Sequence, residues 1–285
     1  MAKDTVFTKK ATINADGRLI DLSRPKVMGI INLTPDSFYD QSRKPDLTAA
    51  LQQAERMLAD GAAFLDLGAY SSRPGAADIS VQEEIDRLLP AVAAIVRQYT
   101  EAVISIDTFR AAVAEAAINA GAHIINDISG GELDADMFAT AARLKVPYIL
   151  MHMRGTPQTM TKLTQYENVF NEVYDYLASR YHQLKTQGVH DVILDPGFGF
   201  AKKAEQSYAL MNRLQDFNLL GLPVLAGISR KRMIYGLTGG TAADALNGTT
   251  VLNTIALGKG ASVLRVHDVK EAAEAIKLWE ACQSD

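Results

Sequence analysis

Two carboxylates and an amide each follow a short apolar run in this chain, and together they could bind a nitrogen-rich heterocycle. They are Asp107, Asn126 and Asp195. A carboxylate can accept two parallel N–H bonds from an amino-pyrimidine edge, and an amide can both donate and accept. A purely apolar ligand would leave such groups unpaired, at a cost of about 1–3 kcal/mol each. Taken singly, each residue could instead cap the helix that follows it.

A basic group follows the last two apolar runs. Ser229-Arg230-Lys231 follows one of them, and Arg265 and His267 occupy alternate positions at the end of the other. Asp268 is predicted to cap the next helix, whose N-terminus favours an anion. Asn32, after the first apolar run, is a neutral oxygen ligand suited to a Mg²⁺ that already holds phosphate oxygens. A single Arg or Lys could equally be a solvated charge, but the grouping favours a phosphate site.

All of these residues occupy the same place in a repeated unit, in which an apolar run stops at a polar residue and a helical stretch follows. Near-continuous apolar strands that alternate with helices indicate a parallel sheet buried on both faces. About eight such units in roughly 250 residues predict a single (β/α)8 TIM barrel, whose strand C-terminal ends form the active-site mouth. The polar stops are Asn32, Asp66, Asp107, Asn126, His152, Asp195, Ser229 and the Arg265/His267 pair.

The residues before the first barrel strand predict a β-hairpin that covers the barrel's N-terminal end. Residues 12–14 alternate, Ala15-Asp16-Gly17 forms a turn, and Arg18-Leu-Ile-Asp21 returns. We therefore predict a hairpin extension at 1–24 and one barrel domain at 25–285. Helical spacing predicts long helices from Val81 to Ile95, with a Ser80/Glu83 capping box, and from Phe170 to Leu184.

Composition excludes several classes of partner. A net charge of −4 gives no global attraction to nucleic acid or to anionic membranes. No apolar stretch reaches membrane-spanning length, and the first residues contain no apolar signal region. The one cysteine, Cys282, excludes an intramolecular disulfide and a Cys-rich metal site. These features predict a soluble cytoplasmic protein with no nucleic-acid partner and no membrane partner.

Two further motifs resemble catalytic or cofactor sites, and neither fits. Gly197-Phe-Gly199-Phe has Lys202 where a dinucleotide loop needs its third glycine, and it comes too late in the chain. His152, in Met-His-Met, is interpreted as a packed core histidine rather than a catalytic base.

Eight blocks, in order from about Val27 to Trp279, resemble the dihydropteroate synthase family. They are Asn32-Leu-Thr-Pro-Asp-Ser-Phe, Ser72-Arg-Pro-Gly, Ser105-Ile-Asp-Thr, Asn126-Asp-Ile-Ser-Gly, Met151-His-Met-Arg-Gly-Thr-Pro, Asp195-Pro-Gly-Phe-Gly-Phe, Ser229-Arg-Lys and Arg265-Val-His-Asp-Val. The resemblance implies folate synthesis from a dihydropterin methyl diphosphate and para-aminobenzoate with Mg²⁺, sulfonamide inhibition and a homodimer.

The resemblance also implies a role for each matching residue. Those expected to hold or line the pterin ring are Asp107, Asn126, Asp195, Lys231, Met151 and Phe200. Those expected at the diphosphate are Arg265, His267 and, through Mg²⁺, Asn32. Those expected around the aminobenzoate are Ser72, Arg73 and Pro74 of a mobile loop, with Ser229 and Phe200 nearby. Asp107 is further expected to stabilise a cation formed when diphosphate leaves before the amine attacks.

The chain departs from the family pattern in two places. Tyr70 and Ser72 stand where the family usually has an acidic residue and a threonine, and Ala245 stands where it often has arginine. A pterin-domain methyltransferase would share the barrel but needs no diphosphate clamp, so Ser229-Arg-Lys and Arg265-Val-His argue against it. A pterin-binding relative without turnover is opposed by the presence of both Arg73 and Asn32.

Overall fold

The computed structural model describes residues 10–34, 47–72 and 78–283, and within them eight parallel strands form a barrel. The strands are β3 Lys26–Asn32, β4 Phe64–Gly68, β5 Val103–Asp107, β6 Ile124–Asp127, β7 Tyr148–Met151, β8 Val192–Asp195, β9 Leu225–Ala226 and β10 Val263–Val266. Their order is β8-β7-β6-β5-β4-β3-β10-β9. A parallel bridge from Leu194 to Val224 joins the two outer strands. The sheet is therefore a nearly closed (β/α)8 barrel, and the predicted fold class is confirmed.

Helices alternate with the strands and form the outer layer. They are α1 Leu47–Ala59, α2 Val81–Gln98, α3 Ala111–Asn119, α4 Met137–Leu144, α5 Val169–Thr186, α6 Ala204–Asn212, α7 Arg232–Thr238, α8 Leu246–Gly258 and α9 Val269–Ala281. Short 3₁₀ helices cover Met160–Lys162, Leu214–Leu220 and Ala242–Ala245. In the described part of the chain, none of these helices has both the length and the apolar character needed to cross a bilayer.

The predicted hairpin is present and covers the barrel's N-terminal end. β1 (Thr12–Ala15) pairs antiparallel with β2 (Arg18–Asp21). Asp16 and Gly17 between them have φ of 51° and 80°, which suits a two-residue hairpin turn. Ile13 and Ala15 are buried in one cluster with residues from the starts of the barrel strands, among them Met28 and Phe64. The proposed domain boundary at residue 24 stays a prediction.

The two long helices occur where helical spacing predicts them. Ser80 caps α2 by accepting the Glu83 N–H at 3.1 Å, but the Glu83 carboxylate pairs with Arg87 and does not complete the capping box. Val81 is 39% exposed, so it lies at the edge of the buried face of α2, which includes Leu88, Val92 and Ile95. In α5, Asn168 supplies the N-cap.

The polar stops occupy different depths in the barrel. Asn32, Asp107 and Asp195 are the last residues of β3, β5 and β8, as predicted. Asp66 is instead the middle residue of β4, and Arg265 lies within β10. Because Asp66 is buried inside the strand, the charged part of the site extends below the barrel mouth.

Candidate active site

The centre of the site is an arginine held between two carboxylates from other strands. Arg265 Nε lies 2.6 Å from Asp66 Oδ2, and its Nη2 lies 2.5 Å from Asp107 Oδ2. Asn126 Nδ2 donates to the same Asp66 oxygen at 3.0 Å. These contacts connect β4, β5, β6 and β10 through one polar network. The structure therefore brings together Asp107, Asn126 and Arg265, which the sequence predicted as site residues.

Asp66 is the site residue that sequence reasoning missed. It was recognised only as the end of an apolar run, although a carboxylate inside a strand is costly to bury unless it is paired. The signal available in the sequence was its place among the apolar residues Phe64, Leu65 and Leu67. In the structure Asp66 has 0% exposure and these three neighbours are fully buried. Its partners could not be read from the sequence, since Arg265 lies 199 positions away.

The charge state of Asp107 is finely balanced. Burial raises its pKa to about 7, Arg265 opposes that rise, and Asp66 adds to it. Although burial alone would lower the pKa of Arg265, the carboxylates of Asp66 and Asp107 raise it overall, so the guanidinium stays charged. Near neutral pH, Asp107 therefore changes between a carboxylate and a neutral acid beside a permanent positive charge.

A second group of the site is formed by Asp195 and Lys231. Burial raises the pKa of Asp195, and Lys231 opposes the rise. Burial also lowers the pKa of Lys231 to about 8, and Asp195 opposes that change. Both side chains face Gly227, where an added Cβ would lie 3.7 Å from Asp195 Oδ2 and 3.9 Å from Lys231 Nζ. Asp195 and Lys231 therefore present an acceptor and a donor on the same side of Gly227.

Apolar side chains form one wall of the mouth. Met151 and Phe200, both predicted to line the pterin pocket, belong to this cluster. Its buried members are Ile128, Met151, Met153, Met160 and Ala201, and Phe109, Leu133 and Phe200 pack against them. Phe200 also lies with its ring centroid 4.6 Å from Lys231 Nζ, a cation–π distance. The wall therefore contacts the polar group directly.

The predicted basic group divides into two parts. Ser229 Oγ lies 3.0 Å from His267 Nδ1 and accepts the His267 backbone N–H at 3.1 Å. Arg230 instead makes two hydrogen bonds with Asp268, at 2.8 and 2.7 Å, and also contacts backbone carbonyls. Asp268 is the N-cap residue of α9, as predicted, but its side chain makes no capping hydrogen bond, because Arg230 binds its carboxylate. Arg230 ties the last two loops together, whereas Ser229 and His267 contact each other.

The aminobenzoate loop is only partly within the described residues. Arg73 and Pro74 lie outside them, as do the family-like residues that follow Thr34. Ser72 is described and partly buried, and so is Asn32 at the end of β3.

Tyr70, where the family usually has an acid, contacts residues of two other loops. Its Oη accepts a hydrogen bond from Gln158 Nε2 at 2.8 Å. Its ring packs edge-on against Phe109 with centroids 4.9 Å apart, and Arg110 lies 5.1 Å from it. Burial raises the pKa of Tyr70, so the hydroxyl stays neutral at physiological pH. The departure therefore replaces a charge with a neutral link between the β4–α2 and β7–α5 loops.

Comparison with known proteins agrees with this geometry. The model of the pterin binding enzyme family matches residues 28–267. The dihydropteroate synthase of Escherichia coli strain K12 is 42% identical over 276 residues, which cover 95% of this chain and 96% of the relative. The Yersinia pestis dihydropteroate synthase, solved with a sulfonamide drug complex, has a TM-score of 0.90 at 39% identity, over 96% of this chain and 100% of that one. The Xanthomonas albilineans enzyme in complex with 7,8-dihydropteroate has a TM-score of 0.87 at 35% identity, over 96% and 99%.

The barrel fold, the buried carboxylates and the family match together identify the class of protein. The chain belongs to the pterin-binding enzyme family. Within it the chain groups with the dihydropteroate synthases, which are transferases of folate biosynthesis that act on small molecules.

Proposed function

We propose that this chain condenses 6-hydroxymethyl-7,8-dihydropterin diphosphate with para-aminobenzoate and releases diphosphate. The observation that carries the proposal is one polar site, in which Arg265 contacts Asp66 and Asp107 while Asp195 and Lys231 both face Gly227. Such a site offers a flat heterocycle both acceptors and a donor. The Xanthomonas albilineans relatives, solved with 4-aminobenzoic acid and with 7,8-dihydropteroate, support both halves of the product.

The hydrogen bonds already present suggest how the pterin would bind. Because Asn126 Nδ2 donates to Asp66, its Oδ1 is the atom that would accept from a ring N–H. Asp195 Oδ1 accepts the Gly197 N–H at 2.7 Å, which leaves Oδ2, on the side of Gly227, for the amino-pyrimidine edge. Lys231 would donate to a ring acceptor, and Met151 with Phe200 would cover one face. We infer that Ser72, Arg73, Pro74 and Ser229 surround the aminobenzoate.

The donor set fits a magnesium ion that arrives with the diphosphate. Mg²⁺ is usually held by one or two protein oxygens, several waters and substrate phosphates. Within the described ranges no group of three His, Cys, Asp or Glu side chains could cage a metal, whereas the Asn32 amide oxygen supplies one ligand at the strand end. When bound, Mg²⁺ would neutralise diphosphate charge and make the diphosphate a better leaving group.

We infer that the carbon–oxygen bond breaks before the amine attacks. The diphosphate would leave with the bonding electron pair, giving a cation at the exocyclic methylene carbon. The aromatic amine would then form the C–N bond and lose a proton. Asp107 would stabilise the cation electrostatically, and Arg265, through Nη1, with His267 would face the growing negative charge. Arg265 Nε and Nη2 are already taken by Asp66 and Asp107.

An assay of diphosphate release, with and without para-aminobenzoate, tests the function and the order of steps. We expect release with the amine, and positional oxygen exchange within the diphosphate ester even without it. Exchange that strictly requires the amine, with a rate that rises steeply with amine basicity, would exclude the cation mechanism. Pterin binding without any release of diphosphate would instead identify a relative that has lost turnover. We also expect sulfonamides to compete with para-aminobenzoate.

We further infer that the chain forms a homodimer, as the family resemblance implies. Three exposed apolar side chains on the neighbouring helices α7 and α8 support this: Leu237 is 74% exposed, Val251 51% and Ile255 41%. Val251→Glu is expected to give monomers by light scattering at a concentration where the parent chain is dimeric. A parent chain that is monomeric at every concentration would contradict the inference.

A further inference from the structure

The loop between β8 and α6 adopts an unusually curled conformation. Gly197, Gly199 and Ala201 have φ of 70°, 77° and 49°, so three of five successive residues are left-handed. An alanine in this conformation is strained, because its Cβ lies too close to the following carbonyl oxygen. An added Cβ at Gly197 would lie 2.1 Å from the His152 carbonyl oxygen, which shows how closely the loop packs on the β7 end. Such a loop must be held by contacts elsewhere.

The side chain of Lys202 provides these contacts. Its ammonium lies 3.0 Å from the Gly197 carbonyl oxygen, 2.9 Å from that of Phe200 and 3.3 Å from that of His152. It also lies 2.8 Å from His152 Nδ1. The lysine is only 7% exposed. An ammonium has three hydrogens and no lone pair, so it suits a cage made only of acceptors.

His152 completes the cage as a neutral base. Burial lowers its pKa to about 2, and Lys202 adds to this effect, so Nδ1 is available to accept. The His152 ring packs edge-on against Tyr176 with centroids 4.8 Å apart, which fixes its direction. The charged groups that act on Lys202 are Asp195, Lys231 and Arg154, and burial lowers the pKa of Lys202 more than Asp195 restores it.

The same loop contacts the proposed pterin site at three points. The Gly197 N–H donates to Asp195 Oδ1 at 2.7 Å. The Phe198 carbonyl oxygen accepts from Lys231 Nζ at 2.5 Å, and the Phe200 ring lies over that ammonium. Moving the loop would therefore misplace an acceptor, a donor and an apolar face together.

We propose that Lys202, with His152 as its acceptor, is a positioning residue that holds the β8–α6 loop in the conformation required to bind the pterin ring. The inference rests on the proposed function. Lys202 touches no substrate in this role, and it acts through Asp195, Phe200 and Lys231. The sequence indicated no role for His152 or Lys202, and this proposal gives them a shared one.

Two substitutions of neighbouring lysines test the proposal. Lys202→Met keeps the length but removes every donor, whereas Lys203→Met makes the same change at an exposed position. The ligand is 6-hydroxymethyl-7,8-dihydropterin, titrated by calorimetry, and urea unfolding is measured in parallel. We expect Lys202→Met to lose at least tenfold in pterin affinity and Lys203→Met to stay within twofold. Wild-type affinity in a folded Lys202→Met chain would overturn the proposal, even if its stability were lower.

Substitutions of His152 test the same contacts if Lys202→Met does not fold. His152→Gln keeps a side-chain acceptor for Lys202, and His152→Leu removes it. We expect the leucine variant to lose pterin affinity by about threefold or more and the glutamine variant to recover most of it. Equal affinities in the two variants would overturn the proposal. A parent chain that binds no pterin would refute the proposed function, which is a distinct outcome.

Discussion

Replacing Arg265 by methionine should destabilise the chain, because two largely buried carboxylates lose their positively charged partner. The guanidinium contacts Asp66 and Asp107, and its side chain is only 18% exposed. Asp66 has no exposure and keeps only the Asn126 amide among the donors described above. Methionine preserves most of the apolar stem, so the change mainly removes the positive charge.

The magnitude follows from leaving a buried charge without its partner. Breaking a buried ion pair from one side typically costs about 3–5 kcal/mol of unfolding free energy. The remaining Asn126 donor and the partial exposure of Arg265 place this case near the lower end. We therefore expect a loss of about 3 kcal/mol at pH 8.5.

The loss should depend on pH, with a sign set by Asp107. Burial raises its pKa from 3.8 to about 7, so its contribution to stability is present at low pH and is lost as the pH rises towards 7. Without Arg265, which lowers this pKa, the decline continues above pH 7. Above pH 7, the difference in unfolding free energy between the variant and the parent should therefore widen by up to about 1.4 kcal/mol per pH unit. At pH 5.5 we expect a gap of only about 1 kcal/mol.

Urea unfolding at pH 5.5, 7.0 and 8.5, followed by circular dichroism, measures this gap. The matched control is Arg143→Met on α4, which breaks an ion pair with Glu115 in which both side chains are exposed. That control should leave the unfolding midpoint nearly unchanged at all three pH values. An Arg265→Met loss that is the same at pH 5.5 and 8.5, or one no larger than the control's, would refute the reasoning.

Three further predictions concern turnover and substrate binding. Asp107→Asn should lower kcat by about two to three orders of magnitude, as rapid-quench assays would show, while pterin affinity stays appreciable; an unchanged kcat would remove Asp107 from the mechanism. Asn32→Ala should weaken binding of the diphosphate ester far more than binding of free pterin by calorimetry, and equal losses would contradict a metal role. Arg73→Ala should raise KM for para-aminobenzoate or lower kcat in steady-state assays. A collapse of pterin affinity alone would assign Arg73 to the other subsite.

The sequence predicted the barrel because each strand is a nearly continuous apolar run, and such runs are needed when a sheet is buried on both faces. It correctly placed Asp107 and Asp195 at the ends of barrel strands. It predicted less well where the partner of a charge decides its role. Arg230 and Lys231 are adjacent, yet the first pairs with Asp268 and the second faces Asp195. Only the packing of the last two barrel loops distinguishes them.

The role proposed for Lys202 also depends on partners that the sequence does not reveal. In the sequence, Lys202 is only the residue that stands where a dinucleotide loop needs its third glycine. A lysine is normally expected at the surface. Its burial follows from three carbonyl oxygens and an imidazole nitrogen that two separate loops bring to one point. Backbone carbonyl directions depend on φ and ψ, and no residue type in the sequence reports them. A positioning role of this kind therefore becomes visible only in three dimensions.

The charges at the bottom of the site also limit what can hold the diphosphate. There Asp66, Asp107 and Asp195 face Arg265 and Lys231, and Asp107 is near its midpoint at neutral pH. These groups nearly balance one another, which suits an uncharged pterin ring. They leave little net positive charge for an anion as highly charged as diphosphate. Beyond Arg265 Nη1, compensation must then come from the rim, where His267 and Ser229 contact each other, and from groups that join the site on binding. A metal ion that arrives with the substrate would meet that need, and this is the physical reason to expect Asn32 to matter for the ester and not for the ring.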